Sequence, residues 1–177
     1  MHIPPVTAGD LPALELLATI MGQGQASHLF QTIHRERQLV QSIYTAAYTL
    51  RDSGLFVVAA DYQLEREDGA LRAHEPIVEE LMAEVFRFRD VQLTEAQVRR
   101  ARTLQESQAI YGKQTIEGLA MKSGHFMMMT GDARFEDAYY ERLKDVTVED
   151  LRDVARRYLS PERCTVILSA PEGQGGV

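Results

Sequence analysis

The chain has 177 residues, of which 45% are apolar, 25% charged and 7% aromatic, a globular composition able to bury roughly 70% of its unfolded surface without disulfide or structural metal. Lys and Arg number 19 against 26 Asp and Glu, so a net charge of −7 argues against a grip on nucleic acid, and the single Cys164 excludes an internal disulfide framework. No apolar run approaches the ~20 residues of a spanning helix, and Met1-His2-Ile3-Pro4-Pro5 has no basic segment leading into an apolar one, so neither a membrane span nor a secretory leader is expected.

Ile3 to Val6 is apolar but interrupted by Pro4 and Pro5, which permits at most an edge strand. Asp10 is a good N-cap, and Leu11, Leu14, Leu17, Ala18 and Met21 share one helical face that Gly22 and Gly24 close. Ser27 is placed to cap a second, shorter helix carrying Leu29, Phe30 and Ile33. From Gln41 to Leu50 the period changes to two, with Ile43, Thr45, Ala47 and Thr49 on one face and Tyr44, Ala46, Tyr48 and Leu50 on the other. Arg51-Asp52-Ser53-Gly54 has turn chemistry and Leu55 to Ala60 is a strand-forming apolar run, so an antiparallel hairpin is expected.

The charged stretch Asp61 to Gly69 reads as leading into a helix whose apolar face is Ile77, Leu81, Met82, Val85 and Phe88. Thr94-Glu95-Ala96-Gln97 fits a capping box opening a helix to about Tyr111. Ile116, Leu119, Ala120, Ser123 and Met127 keep a helical register up to Gly131, and a short helix follows around Phe135 to Leu143. Thr147 caps a last helix with Val148, Leu151, Val154, Ala155 and Tyr158 on one face, and Cys164 to Leu168 reads as a final apolar strand. Residues 1–171 are expected to form one unit, and the Gly-rich 172–177 a disordered tail. The order of elements implies a segregated α+β domain, an antiparallel sheet with helices packed on one face. Its thin sheet has an open edge that a further strand or a partner would cover.

No catalytic machinery is visible in local patterns. The five histidines, His2, His28, His34, His74 and His125, include no pair four apart, so the helical zinc signature is absent. The Met121, His125, Met127, Met128, Met129 cluster suits copper(I) in principle, but core packing is the expected role of such methionines. Gly22-Gln23-Gly24 reads as a helix stop rather than a phosphate cradle, Cys164 as a buried thiol, and His34-Arg35-Glu36-Arg37 as a solvated helix end.

The blocks Met21-Gly22-Gln23-Gly24-Gln25-Ala26-Ser27-His28-Leu29-Phe30, Arg51-Asp52-Ser53-Gly54-Leu55-Phe56, Leu93-Thr94-Glu95-Ala96-Gln97-Val98-Arg99-Arg100-Ala101 and Val146-Thr147-Val148-Glu149-Asp150-Leu151 resemble, in order and spacing, the pitrilysin/insulysin family of zinc metallopeptidases. The resemblance runs from about Pro4 to Pro171. It implies paired α+β half-domains whose lobes close around an extended peptide, with zinc held by His-x-x-Glu-His in one half-domain only. This chain lacks that motif, so the resemblance implies a non-catalytic half-domain without its opening strand or strands, with no cofactor of its own and zinc in a companion half-domain. The family's substrate-holding Arg and Tyr, seven apart, are replaced by His34 and Gln41, which become the candidate substrate-binding residues. The implied partners are the zinc-bearing companion and an extended peptide, with homodimerisation through the open edge a further possibility. Two other readings stand beside it: a catalytically silent assembly subunit, and a free-standing metal-dependent hydrolase using His28, His34 and Glu36.

Overall fold

The computed structural model describes residues 1–63 and 73–169. Most of the charged stretch 61–69, and the whole of the tail at 172–177, lie outside the described residues. Three antiparallel strands, β1 (His2–Ile3), β2 (Ser42–Thr49) and β3 (Gly54–Asp61), form one sheet in the order β1-β3-β2. The hairpin register runs from Thr49 opposite Gly54 to Ser42 opposite Asp61, and the turn is closed by the Leu50 N–H on the Ser53 carbonyl at 3.2 Å. β1 ends where Pro4 and Pro5 remove the ladder donors, and is the edge strand that the prolines permit.

α1 (Leu11–Gly22) lies across the inner sheet face, and every one of its residues except Glu15 is buried. Strand alternation supplies the other half of this core: Ile43, Thr45 and Phe56 are buried beneath it. Thr45 fixes the approach, its hydroxyl donating to the Ala18 carbonyl at 2.5 Å. Asp10 does not cap α1. Its carboxylate accepts instead from Arg157 Nη1 (2.6 Å) and Tyr158 Oη (2.8 Å), so a residue of capping type joins α1 to the far end of the chain.

The chain continues in α2 (His74–Arg87), α3 (Glu95–Tyr111), α4 (Ile116–Thr130), α5 (Phe135–Asp145) and α6 (Val148–Tyr158), of which α3, α5 and α6 pack on α1. The caps of α3 and α6 are boxes of the expected kind, Thr94 with Gln97 and Thr147 with Asp150. The Thr147 hydroxyl and backbone N–H hold the Asp150 carboxyl below its ordinary pKa. Gly131 ends α4 at φ 79°, a left-handed conformation open to glycine at no steric cost. Arg102 ties α3 to the α5–α6 junction through the Leu143 and Val146 carbonyls at 3.2 and 3.0 Å.

Four expectations need correction. The second helix is a π-helical segment, Phe30–Glu36, whose exit shows the wide pitch in the Arg37 N–H on the Thr32 carbonyl at 3.2 Å. Ser27 is buried and turns its hydroxyl back to the Gly24 carbonyl at 2.7 Å rather than capping forward. Cys164 to Leu168 forms no strand with any described residues, and Cys164 itself is only half-buried. Strand-forming side chains do not make a strand without a partner backbone. Finally, Met121, Met127 and Met128 are exposed, and of the cluster only Met129 packs against the core.

Candidate functional site

The π-helical segment delivers two neighbouring polar features to one end of the hairpin. Its widened turn places His34 so that Nδ1 donates to the Val40 carbonyl at 2.9 Å, while the ring lies tilted over Phe30 at 4.4 Å. That bond assigns the imidazole proton to Nδ1 and leaves Nε2 as the acceptor. Gln41 is the next residue after that carbonyl. Its backbone N–H donates to the Asp61 carbonyl at 2.6 Å and its side chain is exposed. His34 is thereby held against the peptide that leads into Gln41, just before the start of β2. Gln38, between them, sits at φ 50°, a left-handed conformation uncommon outside glycine.

The same segment is anchored by a residue that local motif reading missed. Glu84 of α2 is buried and accepts from His28 Nε2 (2.7 Å), Arg37 Nη2 (2.9 Å) and Arg87 Nη1 (2.7 Å), while Arg37 Nη1 also reaches Glu80 at 2.6 Å. A buried carboxylate is tolerable only with such donors. The signal was present in the spacing, because Glu84 lies seven residues after Ile77 and one turn before Phe88, on the apolar face of its helix. His28 and Arg37 are thereby committed to structure, and the solvated helix end expected at 34–37 is part of a clamp.

Glu15 is half-buried as a residue but its carboxyl is enclosed, and it accepts from Tyr139 Oη at 2.5 Å. Burial pushes Glu15 above its ordinary pKa despite that hydrogen bond, and burial beside Glu15 raises Tyr139 as well. Elsewhere a cleft of about 350 Å³ between α1, α5 and α6 is lined by Asp10, Asp145, Asp150 and Asp153 with Arg142 and Arg157. Among the described residues no three His, Cys, Asp or Glu side chains stand in a metal-holding group. His28, His34 and Glu36 in particular do not converge, since His28 faces Glu84 and His34 faces Val40.

The outer face of the sheet is a further feature able to meet a ligand. Tyr44 pairs with Ala59, Ala46 with Val57 and Tyr48 with Leu55 across the hairpin, giving an apolar and phenolic surface opposite the face that α1 covers. Tyr44 and Tyr48 are 46% and 51% exposed, and β2 is an edge strand of the described sheet.

Helices backing one face of a small antiparallel sheet give a mixed domain with the architecture of a half-domain. Residues 1–105 match the family model for the peptidase M16 inactive domain, and the chain belongs to that family. It is 27% identical over 161 residues to an uncharacterized zinc protease of Mycobacterium tuberculosis, a match covering 91% of this chain and 35% of the relative. Its fold is similar to that of a Helicobacter pylori protease, with TM-score 0.76 and 20% identity, covering 90% of this chain and 37% of the other. The inactive peptidase domain of a zinc protease from Bordetella parapertussis superposes with TM-score 0.76 at 17% identity, covering 91% and 84% respectively. The chain thus spans about a third of the M. tuberculosis relative, and an inactive domain of this kind implies a companion catalytic domain. Zinc belongs to the relatives by name, and the described residues of this chain offer it no ligand set.

Proposed function

We propose that this chain completes the peptide chamber of an M16-type zinc endopeptidase, furnishing wall and substrate contacts while a companion domain supplies the metal. The observation that carries this reading is the open outer face of the sheet. A sheet packed on one side only, with Tyr44 and Tyr48 presented beside a β2 edge that no described strand pairs, suits an extended polypeptide that adds along the part of the edge away from the Gln23–Thr45 bond and rests apolar side chains on the tyrosines. His34 and Gln41 open that same strand, where His34 Nε2 and the Gln41 amide serve as single hydrogen-bond partners rather than as a bidentate clamp. The net charge of −7 favours peptides carrying basic residues.

The test is cleavage of a quenched basic peptide by this chain mixed with its zinc-bearing companion. Activity is expected only from the mixture, and Tyr44→Ala with Tyr48→Ala should raise KM about tenfold with little change in kcat. An unchanged KM in that double variant overturns the reading. A silent assembly subunit is the second reading, favoured by the Val40 and Phe30 contacts that hold His34 as a structural residue; it expects the mixture to be assembled but inactive.

A further inference from the structure

Glu84 is only 3% exposed, a charge set among the apolar residues Ile77 and Val85 on the inner face of α2. Taking a carboxylate out of water is costly unless its oxygens are met by donors. Three donors meet them, and two come from opposite ends of the π-helical segment. His28, two residues before Phe30, donates Nε2 to one oxygen, and Arg37, the residue after Glu36, donates Nη2 to the other. Arg87 of α2 supplies the third. One carboxylate thus spans the segment end to end, while Phe88 meets the His28 ring edge-on at 5.0 Å and closes the near end.

A π-helix of seven residues needs such a brace, because the i→i+5 turn normally survives only as a single-turn insertion in an α-helix. Here the wide turn runs straight into a chain reversal. The Arg37 N–H closes on the Thr32 carbonyl, the Leu39 N–H returns to the Ile33 carbonyl at 3.1 Å, and Gln38 between them takes its left-handed φ of 50°. The reversal carries the Val40 carbonyl back onto His34, where it takes the Nδ1 proton and leaves Nε2 to accept from a ligand. If the segment tightened to i→i+4 bonds, everything after the change would turn by ~100°, the angle of one helical residue, and that carbonyl would leave His34. Arg37 stands at the pivot, so its bond to Glu84 resists the turn.

We propose, building on the chamber-wall reading above, that Glu84 is a positioning residue: it holds the segment in its π-helical form so that His34 Nε2 faces a peptide lying at the start of β2. In the mixture with the zinc-bearing companion, Glu84→Gln keeps the size of the side chain and removes its charge. It should raise KM about 3- to 10-fold at nearly constant kcat, as should His34→Ala. Joined in one chain, the two changes should do no more than His34→Ala alone, because Glu84 then has nothing left to position. Arg37→Met keeps the stem and cuts the far end of the segment from α2; it repeats the test if circular dichroism shows Glu84→Gln unfolded. A second readout needs no companion. Nitrogen NMR of the 177-residue chain in mildly alkaline buffer should show His34 as the Nδ1–H tautomer, and either variant should shift it towards Nε2–H. A tautomer that neither variant moves, or KM effects that multiply in the double variant, overturns the proposal. A parent mixture that cleaves nothing overturns the chamber-wall reading instead, and the tautomer shift then decides whether Glu84 positions His34.

Discussion

α1 and α4 are of similar length and both largely apolar, α1 chiefly through Leu and α4 chiefly through Met, and each is closed by glycine, yet the fold treats them oppositely. α1 is enclosed by the sheet on one side and by α3, α5 and α6 on others, and only Glu15 escapes burial. α4 leans on α5 through Phe126, Met129 and Lys122 and leaves the rest of its circumference open. Apolar helical residues therefore show that a surface is made for contact, but not whether the contact lies within the same chain. The two helices also divide the labour of the domain, one organising its interior and the other furnishing surface.

The largest expected effect is on the enclosed helix. Met21 is fully buried at the end of α1, and Met21→Ala should cost ~2–5 kcal/mol through lost burial and the cavity left behind, read as a lower urea midpoint at unchanged m-value. Gly22 sharpens the point at the next residue. A Cβ there would lie 2.6–2.8 Å from the Thr45 side chain and backbone nitrogen, so Gly22→Ala should cost about 1–3 kcal/mol even though alanine favours a helix. If Gly22→Ala is neutral, α1 and β2 are not packed as closely as Thr45 and Ala18 imply.

These residues also mark how much could be read in advance. The hairpin was legible because Gln41 to Leu50 alternates strictly and Arg51 to Gly54 cannot continue a strand. Helix starts at Thr94 and Thr147 were legible because their capping boxes are local in sequence. The π-helical segment was not, since a change from an i+4 to an i+5 bond leaves the apolar spacing of Leu29, Phe30 and Ile33 intact. The edge at Cys164 to Leu168 and the exposed methionines failed for a different reason: strand pairing and burial depend on partners that the local pattern does not name. For the site, His34 and Gln41 came only through family resemblance, whereas Glu84 and Glu15 were open to detection as carboxylates on otherwise buried helical faces.

Glu15 is the polar exception of α1, and pH tests its burial. Its carboxyl is raised above the ordinary 4.5, so above that pH the unfolded chain gives up the proton first and the folded state binds more protons. Stability linked to Glu15 is thus complete below 4.5 and falls as pH rises through the folded-state value. Glu15→Gln keeps an acceptor for Tyr139 and removes the ionisation, so it should match the parent in mild acid and exceed it by on the order of 1 kcal/mol at neutral or alkaline pH. Parallel stability–pH curves for the two proteins would show that Glu15 is solvated and that α1 is less enclosed than described.

The smallest effect belongs to the open helix and uses the same residue type as the largest. Met121 is 71% exposed, so Met121→Ala removes little buried area and places a better helix former in the interior of α4. The expected change in unfolding free energy is within about 0.5 kcal/mol, of either sign. Set beside Met21→Ala, it isolates enclosure as the variable, because the side chain deleted and the helical backbone are the same. A loss above about 1 kcal/mol would mean that α4 packs onto its own domain in solution, and the contrast between the two helices would disappear.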